Sequence, residues 1–128
     1  MSHVATLKTR ILDLDALKTA AAELGMTFAE GRTTYRTFYG AKPCAHAITA
    51  AGASYDVGVE AAKDGHGFEL TFDSWGPGAK LEAVAGVGLG KLLDEYGFAV
   101  ASVPLRRAGH RITRRYNAAG RLQLVASR

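Results

Sequence analysis

Two segments of this chain alternate so strictly that they narrow the choice of fold. In Tyr55-Asp56-Val57-Gly58-Val59-Glu60-Ala61 the odd positions Tyr55, Val57 and Val59 face one way, and Phe68-Glu69-Leu70-Thr71-Phe72-Asp73 repeats the period of two. Asp64-Gly65-His66-Gly67 supplies turn chemistry between them. An antiparallel hairpin follows, and with it a sheet that the remaining elements must cover. Asp56, Glu60, Glu69 and Asp73 fall at alternating positions of this hairpin, which predicts a shared, solvated face.

The other segments sort around that hairpin. Residues 3–11 alternate imperfectly and predict a half-buried first strand. Asp13 can cap a helix over 14–24, where Leu14, Leu17, Ala21 and Leu24 recur at helical spacing and Gly25 offers a left-handed stop. From Met26 to Gly40, Phe28, Thr33, Tyr35, Thr37 and Tyr39 run near period two with Gly31 as a break, which fits a strand pair or one bulged strand. Ala41 to Ala45, with Pro43, reads as a loop, followed by a strand near His46 to Ala51. A second helix is predicted over Lys80 to Tyr96, ended by Gly97, with a break or a close helix-to-sheet contact near Gly86 to Gly90. Phe98 to Val103 reads as a strand stopped by Pro104, and Arg111 to Tyr116 with Leu122 to Ala126 as a closing hairpin around Asn117-Ala118-Ala119-Gly120. The order predicts an α+β fold, a mostly antiparallel sheet with two helices on one face, in a single domain over 1–128.

Charge divides along the chain. Residues 1–96 hold nine Lys/Arg against twelve Asp/Glu, a formal −3, whereas residues 97–128 hold seven arginines and no acid, a formal +7. Such a tail attracts polyanions through its summed field. Arg106, Arg107, Arg111, Arg114, Arg115 and Tyr116 are therefore the candidate nucleic-acid residues, since guanidinium groups beside an aromatic suit phosphates and bases. The competing reading pairs these arginines with the acidic hairpin and helix ends of the same fold.

Signals for catalysis are weak. Gly86-Val87-Gly88-Leu89-Gly90-Lys91 fails as a P-loop, because Ala85 and Leu92 stand where Gly and Ser or Thr are needed, and fails as a dinucleotide fingerprint at Lys91. His3, His46, His66 and His110 are scattered, with no metal-ligand spacing to Cys44 or a carboxylate. His66 reads as a solvated loop residue, and Cys44 as a small packing group suited to a reducing compartment. No metal or cofactor is implied. With no apolar run near the roughly 20 residues of a membrane helix and no secretory leader, a cytosolic protein without membrane contact is the expectation.

Met1-Ser2-His3, Leu7-Lys8-Thr9 and Asp13-Leu14-Asp15-Ala16-Leu17 resemble the opening of the conserved hypothetical chloroplast reading frame thirty-five family, a domain of unknown function in plastids, cyanobacteria, other bacteria and phages. Tyr55-Asp56-Val57-Gly58, Phe68-Glu69-Leu70 with Asp73-Ser74-Trp75-Gly76, and Gly120-Arg121-Leu122-Gln123-Leu124-Val125 match in order. The Gly86 to Gly90 stretch and the basic Arg106 to Arg115 stretch depart from that family. The resemblance implies an α+β fold and no activity, and it directs attention to His3, Tyr55, Asp56, Trp75 and Gly76 as partner-binding candidates. Trp75, before Gly76-Pro77-Gly78, stands near a sheet edge where it either seals the core or anchors a partner. The leading expectation is a phage or bacterial, non-enzymatic module that binds another protein or itself. A nucleic-acid-binding accessory protein working through the C-terminal arginines is the alternative.

Overall fold

The computed structural model describes residues 4–128. Its centre is a five-stranded antiparallel sheet in the order β1-β7-β6-β5-β2, formed by β1 (Val4–Ile11), β2 (Thr27–Ala29), β5 (His46–Thr49), β6 (Val57–Ala61) and β7 (Phe68–Asp73). The alternating hairpin pairs as its pattern requires, with Gly58 opposite Thr71 and Val59 opposite Leu70. β1 lies at one edge and slips register between Thr6 and Arg10 against β7. The other edge is the three-residue β2.

One face of the sheet carries the apolar core. Ile11, Ile48, Val57, Val59, Leu70 and Phe72 meet Leu17, Ala20 and Ala21 of α1 (Leu14–Glu23), Leu81 and Ala85 of α2 (Gly78–Ala85), and Leu89 and Leu92. α1 begins where the sequence placed it: the Asp13 carboxylate accepts from the Ala16 amide at 3.0 Å, and Gly25 follows at φ +73°.

Among the described residues the helical layer holds three α-helices rather than two. The predicted helix over 80–96 breaks after Ala85, where Gly86 sits at φ +85° and a 3-10 turn, Val87–Leu89, leads into α3 (Gly90–Arg107). The expected break is real, but Gly97 does not end the helix and the expected strand over 98–103 is its continuation. Helical spacing won: Leu92, Glu95, Phe98, Ala99 and Ser102 recur on the inward side of one helix, while Val100 and Val103, which suggested a strand, stay exposed. Pro104 is tolerated within the last turn, where the Ala108 amide reaches its carbonyl at 3.0 Å.

Two hairpins complete the layers. β3 (Thr34–Thr37) pairs with β4 (Gly40–Pro43), so the region read as a loop is a short strand, and the segments around Gly31 join different partners. This hairpin lies on the sheet face away from the helices: Tyr35 is buried against Gly58, where an added Cβ would stand 2.6 Å from its ring. β8 (Arg111–Tyr116) and β9 (Leu122–Ser127) form the closing hairpin, turned by Asn117, whose side-chain oxygen accepts from the Ala119 and Arg121 amides, each at 2.9 Å. It packs on α3, with Leu122 and Leu124 facing Asp94, Phe98 and Ala101.

Candidate functional site

The acidic residues of the β6–β7 hairpin share one face as the alternation predicts, but that face is not a solvated one: Glu60 and Glu69 stand opposite each other half-buried. Asp56 and Asp73 are both 0% exposed, because the β3–β4 hairpin covers the end of the sheet from which they project. Each fastens that hairpin. Asp56 accepts from the Arg36 amide at 2.9 Å and from its guanidinium at 3.0 and 2.7 Å, while Arg32 stands 3.6 Å away. In return the Asp56 amide donates to the Arg36 carbonyl at 3.1 Å. Burying a carboxylate is tolerable only with such partners.

Asp73 joins the hairpin tip to the bend after β7. One carboxylate oxygen accepts from the Phe38 amide and the other from the Trp75 amide, both at 3.0 Å. The bend itself is tight: Gly76 takes φ +54°, and a Cβ on Gly78 would stand 2.1 Å from the Asp73 carbonyl oxygen. Tyr55 is buried behind it, its hydroxyl pushed up in pKa by burial and by the Asp73 charge.

These bonds hold three aromatic rings together at the surface. Phe38 and Tyr39 are the two-residue turn between Thr37 and Gly40. Phe38 meets the Trp75 ring edge-on at 5.2 Å and the Tyr39 ring at 5.4 Å. Phe38 is 50%, Tyr39 64% and Trp75 38% exposed. Lys42 lies over the outer ring, its ammonium 5.7 Å from the Tyr39 centroid. Turns favour Gly, Asn and Asp, so two large rings there serve neither the turn nor the core. The arrangement is a partly solvated aromatic patch, its rings in edge contact through Phe38.

Of the partner-binding candidates, Tyr55, Asp56, Trp75 and Gly76 therefore converge around this end of the sheet, with Tyr55 and Asp56 as buried supports and Trp75 at the surface. His3 lies outside the described residues. Phe38, Tyr39 and Arg36 were missed, because period two from Phe28 to Tyr39 looks like strand throughout. A two-residue aromatic turn before a glycine is the signal that could have exposed them.

The C-terminal candidates separate instead of forming one cluster. Arg114 turns inward: its guanidinium donates to both oxygens of Glu95, at 2.9 Å through one nitrogen, lies 3.5 Å from Glu23 and stacks 4.6 Å from the Phe98 centroid. Those contacts raise its already high pKa, the Glu95 hydrogen bond most. Arg121 pairs with Asp94 at 2.8 and 2.6 Å. These partners belong to the helices and not to the β6–β7 hairpin. Arg106 and Arg107 end α3, and Arg111 and Arg115 point away from Arg114, as strand alternation demands. Tyr116 shares the side of Arg114, beside Leu122 and Leu24, so it stacks with neither outward arginine.

Other chemistry is sparse. The Cys44 thiol donates to the Arg32 carbonyl at 3.1 Å and its pKa is pushed up by burial, which disfavours the reactive thiolate. The His46 Nδ1 accepts from the Gly31 amide at 2.9 Å, fixing the turn after β2, and His66 is exposed in its loop. Among the described residues no group of three or more His, Cys, Asp or Glu is placed to hold a metal ion, and no helix is long and apolar enough to cross a membrane. No protein-family model, curated protein or solved structure matches the chain.

Proposed function

We propose that this chain is a non-enzymatic, cytoplasmic interaction module that binds a protein partner, or a second copy of itself, through Phe38, Tyr39 and Trp75. The observation that carries the reading is the clustering of three large, partly exposed rings, Phe38 touching both Tyr39 and Trp75, with the backbone of Phe38 and Trp75 tied by the fully buried Asp73. Aromatic anchors at the centre of an interface hold most of its energy, and a preordered anchor loses little entropy on docking. Lys42, its ammonium over the Tyr39 ring, borders the patch and supplies a polar rim. Asp56 and Asp73 are occupied by hydrogen bonds that hold the hairpin, which supports a binding rather than a catalytic role.

The test replaces the turn. Phe38→Ala with Tyr39→Ala removes exposed rings only, so the fold should keep its thermal midpoint. Sedimentation of the purified protein reads self-association, and quantitative capture from nuclease-treated lysate reads foreign partners. Loss of either interaction by at least about tenfold, roughly 1.4 kcal/mol, is the expected result. Equal association by wild type and a well-folded variant would remove the patch from the interface.

A further inference from the structure

The β8–β9 hairpin has two faces, and only one is used by the fold. Ile112, Arg114 and Tyr116, paired across the ladder with Ala126, Leu124 and Leu122, form the side that meets α3. The other side presents Arg111, Thr113 and Arg115 opposite Ser127, Val125 and Gln123. Of the seven arginines after Glu95, Arg114 and Arg121 are neutralised by helix carboxylates. Arg106, Arg107, Arg111, Arg115 and Arg128 make no ion pair among the described residues.

We propose that this outer ribbon face binds double-helical DNA, lying in the major groove with Arg111 and Arg115 on phosphates. This rests on an observation separate from the aromatic patch, on the opposite side of the molecule. A two-stranded ribbon fits a groove about 12 Å wide. Arg111 and Arg115, four residues apart on one strand, stand about 13 Å from each other along it at roughly 3.3 Å per residue, so they can reach both groove walls. Between them stands Thr113 with Val125 across the ladder, while Ser127, opposite Arg111, is small enough to let the backbone approach at that end, and Gln123, opposite Arg115, carries an amide able to meet a base edge. Arg106 and Arg107, at the end of α3, add charge on the chain segment entering β8.

The same face argues against the other polyanions. It has no aromatic ring for stacking single-stranded bases, since Tyr116 and Phe98 lie on the helix side. Val125 is its single large apolar side chain, too little for insertion into a bilayer. The major groove of an RNA duplex is too narrow to admit a ribbon.

Fluorescence anisotropy of the full chain tests this with a labelled DNA duplex of roughly 20 base pairs, its single strand, the RNA duplex and anionic vesicles, at several salt concentrations. The DNA duplex should bind tightest. Arg111→Gln with Arg115→Gln should lower that affinity at least tenfold at low salt and reduce the slope of log K against log salt by about 1.8, that is about 0.9 per lost phosphate contact. Its thermal midpoint should be unchanged, and Phe38→Ala with Tyr39→Ala should bind DNA as wild type does, which separates this surface from the aromatic one. The proposal falls if wild type fails to bind duplex DNA at about 50 mM salt, or if single strand, RNA duplex or vesicles bind equally well. An unaltered salt slope in the folded double variant would also overturn it.

Discussion

Single residues divide this protein into positions that tolerate change and positions that do not. Leu17, fully buried on α1, is among the latter: Leu17→Ala should cost about 2 to 5 kcal/mol in a denaturant titration. Gly58 is as demanding for the opposite reason, because a methyl there meets the Tyr35 ring at 2.6 Å and the Thr71 hydroxyl at 2.8 Å. Gly58→Ala should destabilise by about 1 to 3 kcal/mol through overpacking, visible as a loss of near-ultraviolet tyrosine signal and a lower midpoint. Arg114 shows what charge reading without geometry misses. Arg114→Gln would leave Glu95, its side chain 8% exposed, without its cation, and should cost about 3 kcal/mol, the lower end for breaking a buried pair. A stability loss within about 0.5 kcal/mol, as at surface sites, would show that the pair is solvated.

At the level of elements, the closing hairpin stays on α3 partly through Asp94 and Arg121. The Arg121 guanidinium holds the Asp94 carboxyl below the usual carboxylate range, its hydrogen bond outweighing the opposing effect of burial. A carboxylate depressed in this way stabilises the folded form above its unfolded pKa of about 3.9, and that contribution is lost as pH falls through the lower, folded value. Amide exchange in β8 and β9 should therefore speed up relative to the central sheet as pH drops below about 4, after correction for intrinsic rates. Arg121→Gln should remove that pH dependence while leaving exchange in β6 and β7 unaltered. The same scale shows which elements the sequence could reveal. β6, β7, α1 and the closing hairpin were legible because local period, cap and turn residues agree with their tertiary role. Phe98 to Val103 misled because β-branched residues and a following proline mimic a strand end, while the inward side of the helix carries the polar Glu95 and Ser102 and so leaves no apolar period to read. β4 was hidden because Pro43 and small residues give no period, and its pairing with β3 comes from across the turn.

For the whole molecule, the candidate surfaces lie on opposite sides, one on the hairpin over the sheet and one on the hairpin over α3. Sequence alone marked Trp75 and the arginine-rich end, but burial of Asp56 and Asp73 and the division of the arginines depend on which layer covers which. Substitutions at the two surfaces share no contacts, so Phe38→Ala with Tyr39→Ala and Arg111→Gln with Arg115→Gln should act independently. Their combination should lose DNA affinity in anisotropy only as far as the arginine variant does, and self-association in sedimentation only as far as the aromatic variant does. The sheet between them has edges poorly suited to growth. β2 offers only three residues, and β1 is interrupted by its register slip and carries Lys8 and Arg10. Short, irregular or charged edges are poor templates for an incoming strand. Crowding many copies together thus gives the central sheet little template for joining its neighbours edge to edge.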